Sequence, residues 1–240
     1  GYVVADPKKF NRELAMNSET LVSFVEKTQS KIWNELRKHH KDGLENSFLE
    51  SVNKHLESQG TLHVLRHGIK FYGKSIRLAY FKPAHSLNPE IQAQYEANVL
   101  SIMRQVPCNS LGRGSEEGKL DLALFLNGIP IVTAELKNNM SGQNYEHAIK
   151  QYKVDRDHRE KLFQFKRGAL VHFAIDPDQV YMTTRLSGRN THFLPFNLGD
   201  KGGAGNPPNP NGYRTSLSVG KRSRTGELPR YYRPFYSYRN

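Results

Sequence analysis

Residues 119–139, KLDLALFLNGIPIVTAELKNN, constrain the fold of this chain more than any other stretch. Two apolar runs, 120–126 and 129–134, flank Asn127-Gly128, a pair suited to the positive φ angles of a tight turn, so the pattern predicts a buried hairpin. Charged groups sit badly in strands this apolar unless they are paired or bind a metal. Yet Asp121 opens the first strand, and Glu135-Leu136-Lys137 closes the second. Alternation sends Glu135 and Lys137 to one strand face and Leu136 to the other. Two carboxylates and a lysine so placed can hold a divalent cation and position a water beside it. The competing reading is a buried ion-pair triad.

The two readings make different demands on register. A strict two-residue loop at Asn127-Gly128 sets Asp121 opposite Ala134, with Glu135 on the far face. A shared site needs Asp121 opposite Glu135, one residue further. The sequence therefore predicts an odd loop or a bulge within 127–130, where Pro130 cannot donate to the ladder.

An Asp followed fourteen residues later by Glu-x-Lys resembles the signature of the PD-(D/E)xK nucleases. Further blocks widen the likeness: VLRHGIKFYGKSIRLAYFKPAHSLNPE, AIKQYKVDRDHRE and VYMTTRL. Together, from about Gly43 to about Arg214, they resemble the N-terminal nuclease region of the restriction (R) subunit of type I restriction–modification enzymes. The resemblance implies an α/β restriction-endonuclease-like core, a central mixed sheet flanked by helices, preceded by an N-terminal helical segment. It implies a cytoplasmic endonuclease cutting double-stranded DNA with little sequence preference of its own, working with methylation and specificity subunits. Asp121, Glu135 and Lys137 would be catalytic. Mg²⁺, with Mn²⁺ as a substitute, would be held by Asp121, Glu135 and the Leu136 carbonyl. Glu45 matches a further metal-site carboxylate of the pattern; a first-turn Glu that favours a helix dipole is the plain alternative. Leu120-Asp121 stands where the pattern has Pro-Asp. Relatives carry Gln-x-x-x-Tyr on the next helix; here Tyr152 matches, Ala148 occupies the Gln position, and Gln151 is the neighbouring polar residue. Lys150 and Lys119 are the supporting candidates for DNA contact, and Arg113 lies in the polar, Gly-rich loop at 109–118. ATP would enter only through a motor region, since the chain holds no G-x-x-x-x-G-K-[ST] loop. Other readings are a catalytically silent DNA-binding or docking module of this fold, and a different PD-(D/E)xK repair nuclease.

Three regions follow from pattern and composition: an N-terminal helical segment, 1–42, a nuclease domain, 43–198, and a Gly/Pro-rich linker with a basic tail, 199–240. Asn17 is a candidate cap for the first helix, and Phe48, Val52 and Leu56 form a stripe on a later one, with Glu45 on the same face. Strands are predicted at 62–65, 69–72, 75–81, 169–175 and 180–184, with an edge strand near 191–196. Helices are predicted from Asn88-Pro89 to about Met103 and from Tyr145 to about Leu162. His172 reads as an interior histidine. The net charge of +12 favours a polyanionic partner, although the last 28 residues hold seven Lys/Arg against one Glu. A single cysteine excludes an intrachain disulfide, and no apolar run reaches the roughly 20 residues of a membrane span. From about Ser216 the resemblance stops. The remainder reads as an out-of-frame, poorly ordered end; a basic-aromatic arm for nucleic acid is the rival reading.

Overall fold

The computed structural model describes residues 1–40, 42–83, 88–108 and 118–216. The tail beyond 216, Arg113 and the rest of its loop, and part of the AHSLNPE block lie outside the described residues. In chain order the elements begin with β1 (Val3–Val4), α1 (Ser18–Thr28), α2 (Ser30–His39), α3 (Leu44–Gln59) and α4 (Thr61–His67). Next come the hairpin β2 (Ile69–Phe71) and β3 (Lys74–Ile76), then α5 (Pro89–Glu96), β4 (Leu100–Pro107), β5 (Lys119–Leu126) and β6 (Ile129–Leu136). The series ends with α6 (Tyr145–Lys150), β7 (Val171–Ile175), β8 (Val180–Thr183) and β9 (Leu194–Pro195).

Apart from the β2–β3 hairpin, these strands form one seven-stranded mixed sheet in the order β1-β4-β5-β6-β7-β8-β9. β4, β5 and β6 are an antiparallel meander; β1 joins β4 in parallel, and β7 joins β6 in parallel. Both faces of its centre are covered. Leu122, Leu124, Val132, Ala134, Phe173 and Ile175 pack on one side. Met103, Ala123, Phe125, Tyr152, Leu162 and Phe163 pack on the other. A third cluster gathers α1–α4, the β2–β3 hairpin and Ile129. This is a mixed α/β, restriction-endonuclease-like fold, as the resemblance implies.

The tip of the β5–β6 hairpin is buried, which a surface turn would not be. Asn127 and Gly128 have φ of 51° and 85°, both positive as such a turn requires. Asn127 Nδ2 donates to the carbonyl of Leu78 (2.9 Å) and to Asn98 Oδ1 (2.9 Å), while its Oδ1 accepts the Val99 N–H (2.6 Å). The Asn17 N–H donates to the Gly128 carbonyl (2.8 Å) as Asn17 Oδ1 caps α1 by accepting the Thr20 N–H. One turn thus ties the start of α1, the end of the 74–78 segment and the start of β4. Residues on both sides of position 42 share the α1–α4 cluster, and β1 lies in the main sheet.

Four predicted elements differ, the first being the strand predicted at 75–81, which ends at Ile76. Residues 62–65 are helical, not a strand, because Thr61, Val64 and Leu65 are the buried positions of α4, at helical spacing between Gly60 and Gly68. The helix from Asn88 ends at Glu96, where Asn98 takes over the backbone polar groups. Its Nδ2 donates to the carbonyls of Tyr80 and Tyr95, and its Oδ1 accepts the Tyr80 N–H. Ile102 and Met103 then belong to β4, whose pairing with β5 outweighs the helical spacing. The helix from Tyr145 ends at Asp155, beyond which Arg156 is extended. Residues 199–216 are an irregular loop held by Asn206, which bonds Leu198, Asp178 and Asn197, and by the Thr215 N–H on the Pro177 carbonyl.

Candidate active site

Beyond the hairpin tip the β5–β6 ladder changes register. Leu126 pairs with Ile129 and Phe125 with Pro130, as a two-residue loop dictates, but Leu124 pairs with Val132 and Leu122 with Ala134. Ile131 is the extra residue of a bulge. It falls one position past the 127–130 window, directly after Pro130. Its effect is the one the shared site needs: extended by one step, the ladder sets Asp121 opposite Glu135, on the face that carries Ala123 and Thr133. The Leu136 N–H donates to Asp121 Oδ2 (2.9 Å), which fixes the carboxylate at the end of β6. Gln105 Nε2 donates to the other oxygen, Oδ1 (3.2 Å). Gln105 has a φ of 51° within β4, a conformation that costs energy in any residue but glycine.

Glu135 is 0 % exposed. Its Oε1 accepts from Arg156 Nε (2.7 Å) and Nη2 (2.6 Å), whereas its Oε2 is buried with no donor. Burial pushes its carboxyl up to about 8; Arg156 pulls in the opposite direction, and the charge of Asp121 adds to the rise. Arg156 is itself buried, with Nη2 also donating to the Lys119 carbonyl (2.8 Å). It is delivered by a π-helical turn at Gln151–Asp155, closed by the Arg156 N–H on the Gln151 carbonyl (3.0 Å). Behind Glu135, the hydroxyl of Thr133 meets the Tyr152 hydroxyl (2.9 Å) and His172 Nδ1 (2.7 Å). Tyr152 is 0 % exposed, so it supports the strand from the core and has no surface to offer DNA. Burial lowers the His172 imidazole to about 3, leaving it neutral, as an interior histidine should be.

A model of the type I restriction enzyme R protein N terminus matches residues 1–191. The chain belongs to that family. No curated protein and no solved structure matches it. Membership places the chain in type I restriction and supports a nuclease-like role there. No helix among the described residues is long and apolar enough to cross a membrane.

The R-protein pattern is only partly assembled by the geometry. Asp121 and Glu135 come together. Lys137 follows β6 directly, half-buried, with its N–H on the Ile175 carbonyl (2.8 Å), and makes no ion pair among the described residues. Glu45 does not join them. It is exposed in the first turn of α3, where its charge favours the helix dipole. Among the described residues no group of three or more His, Cys, Asp or Glu side chains is placed to hold a metal ion. Helical projection put Glu45 on the apolar face; in the first turn Leu44 is the residue that packs into the core, and Glu45 is left exposed. Lys119 and Lys150 are exposed, and Lys119 contributes its carbonyl to Arg156. Gln151 is half-buried with its Oε1 lacking a donor. Sequence reasoning missed Arg156 and Gln105. A buried Glu demands a cation, and the Arg four residues after Tyr152 was the available signal; Gln105 stood out only as a polar residue within the apolar run of β4.

Proposed function

We propose that this chain is a metal-dependent endonuclease domain that hydrolyses phosphodiester bonds of double-stranded DNA, with little sequence preference of its own. The observation that carries the reading is the buried, donorless Oε2 of Glu135 beside the carboxylate of Asp121. Arg156 pairs with Glu135 alone, so once Glu135 is ionised the two close carboxylates carry an excess negative charge that a divalent cation would neutralise. The donor set, Asp121, Glu135 and the Leu136 carbonyl, consists of hard oxygens and suits Mg²⁺, which binds through few protein ligands and keeps several waters. Mn²⁺ fits the same donors. The cation, when bound, supplies charge neutralisation at a phosphate and a water of lowered pKa. Arg156 holds Glu135 by one oxygen so that the other stays directed at the site. Lys137, free of ion pairs among the described residues, would orient the attacking water or meet charge developing on the phosphate. The methylation and specificity subunits, the cytoplasm as its location, and ATP through a motor carried elsewhere belong to the same reading.

The Glu135–Arg156 pair favours one other reading, a silent module in which these charges are structural. Supercoiled plasmid with Mg²⁺ or Mn²⁺ separates them. Nicking or linearisation should be lost in Asp121→Asn, Glu135→Gln and Lys137→Met, with folding and much of the DNA affinity kept. An intact wild-type digest, or unfolding of all three variants, supports the structural role.

A further inference from the structure

We propose that the cleft between α4 and residues 164–170 is a separate contact for the phosphate backbone of nucleic acid. The cleft encloses about 540 Å³, and its lining includes His63, Arg66, His67, Phe165 and Lys166 but no carboxylate. Arg185 joins the rim, its guanidinium 5.1 Å from the Phe165 ring, and Lys166 Nζ lies 5.8 Å from the same ring. The Arg66, Lys166 and Arg185 side chains are exposed, and none forms an ion pair among the described residues. Like charges gathered without counter-charge repel one another, so the surface is complementary to a polyanion.

The backbone around them is fixed. Lys166 has a φ of 68°, strained for a lysine. It is held by the Thr61 N–H on its carbonyl (2.7 Å), while the Thr61 hydroxyl donates to the Gly168 carbonyl (2.9 Å). Gly60 makes the approach possible, since a Cβ there would stand 3.1 Å from the Lys166 carbonyl oxygen. Two segments distant in sequence are thereby clamped so that Arg66 and Lys166 line one cleft.

The cleft lies away from the candidate active site. The Leu170 N–H donates to the Ile131 carbonyl (3.0 Å), at the start of β7, and Glu135 stands four residues further along β6. At ~3.3 Å per residue that is roughly 13 Å along the strand. The choice of nucleic acid as the polyanion rests on the nuclease reading.

The test is anisotropy of a fluorescein-labelled duplex with the whole chain, in EDTA so that nothing is cut, over a salt series. Arg66→Glu/Lys166→Glu should weaken binding by about tenfold or more and flatten the log–log salt slope by about 2, one per lost phosphate contact. Arg66→Gln/Lys166→Gln should do the same more mildly, and thermal melts check that each variant folds. Lys31→Glu/Lys38→Glu on α2, with the same change of charge, should stay within about twofold of wild type. Binding unchanged in the cleft variants overturns the proposal, as does equal weakening by the α2 variant. Loss of polyglutamate binding with duplex binding intact would assign the cleft to an acidic protein and overturn it too. Plasmid cleavage by the same proteins keeps the two readings apart, because Glu135→Gln should abolish cutting while keeping much of the affinity for the duplex.

Discussion

Arg156 shows how a single side chain sets the chemistry available to its neighbours. A buried carboxylate next to another is disfavoured as an anion, and Glu135 titrates near 8 against an ordinary 4.5. The folded protein therefore holds a proton that the unfolded chain releases between those values. Its stability should fall as pH rises from about 4.5 to about 8 and level off above. Replacing Arg156 with Met removes the cation that pairs with Glu135 and favours its ionisation. Urea unfolding should show a cost that is larger at pH 8.5 than at pH 6 by up to about 1 kcal/mol, because at pH 6 Glu135 is protonated in either protein. An equal cost at both pH values would mean that Arg156 acts by packing alone. Because metal ligands must be deprotonated, Mg²⁺ or Mn²⁺ should raise the Tm more at pH 8 than at pH 6, and Glu135→Gln should lose that increment. Without metal, Asp121→Asn should melt no lower than wild type, since it relieves the repulsion between the carboxylates.

At the scale of elements, the bulge at Ile131 and the turn at Asn127-Gly128 do different jobs. The bulge decides which face Glu135 occupies; the turn decides where the hairpin sits. A Cβ on Gly128 would lie 2.3 Å from the Asn17 carbonyl oxygen, at a φ of 85°. Gly128→Ala should accordingly destabilise by well over 1 kcal/mol, read as a lowered denaturation midpoint, and loosen the cap of α1 as seen in amide exchange. The bulge was legible because alternation is strict: Asp121 and Glu135 can share a face only if one residue is extra, and Pro130 marks where. The helices were less legible. The pattern Thr61, Val64, Leu65 is as short as a strand, and β-branched residues there outweighed the spacing. Met103 sits at helical spacing from Val99, yet its partner in β5 lies far along the chain, where local periodicity carries no information. Arg156 was hidden for the same reason: its partner is on another element, and the π-helical turn that aims it has no sequence signature.

At the scale of the molecule, positive charge is spread over several surfaces, and the cleft beside α4 is one that carries no carboxylate. DNA affinity should therefore depend steeply on salt, and equilibrium binding at two ionic strengths measures it. The arrangement of the sheet has a further consequence for how the chain folds. β1 pairs Val3 with Ser101, and β6 lies parallel to β7 with the whole α6 segment between them. Neither pairing can form early, because each closes a long loop before any contact rewards it. During synthesis Asp121 and Glu135 emerge before Arg156, and before the β7 strand that pairs with β6 beside Glu135. A nascent chain thus exposes two apolar strands bearing unmatched carboxylates until residue 175 is free. Refolding should be correspondingly slow, in milliseconds to seconds, and the interval before β7 docks is when the chain is most exposed to self-association and to proteases.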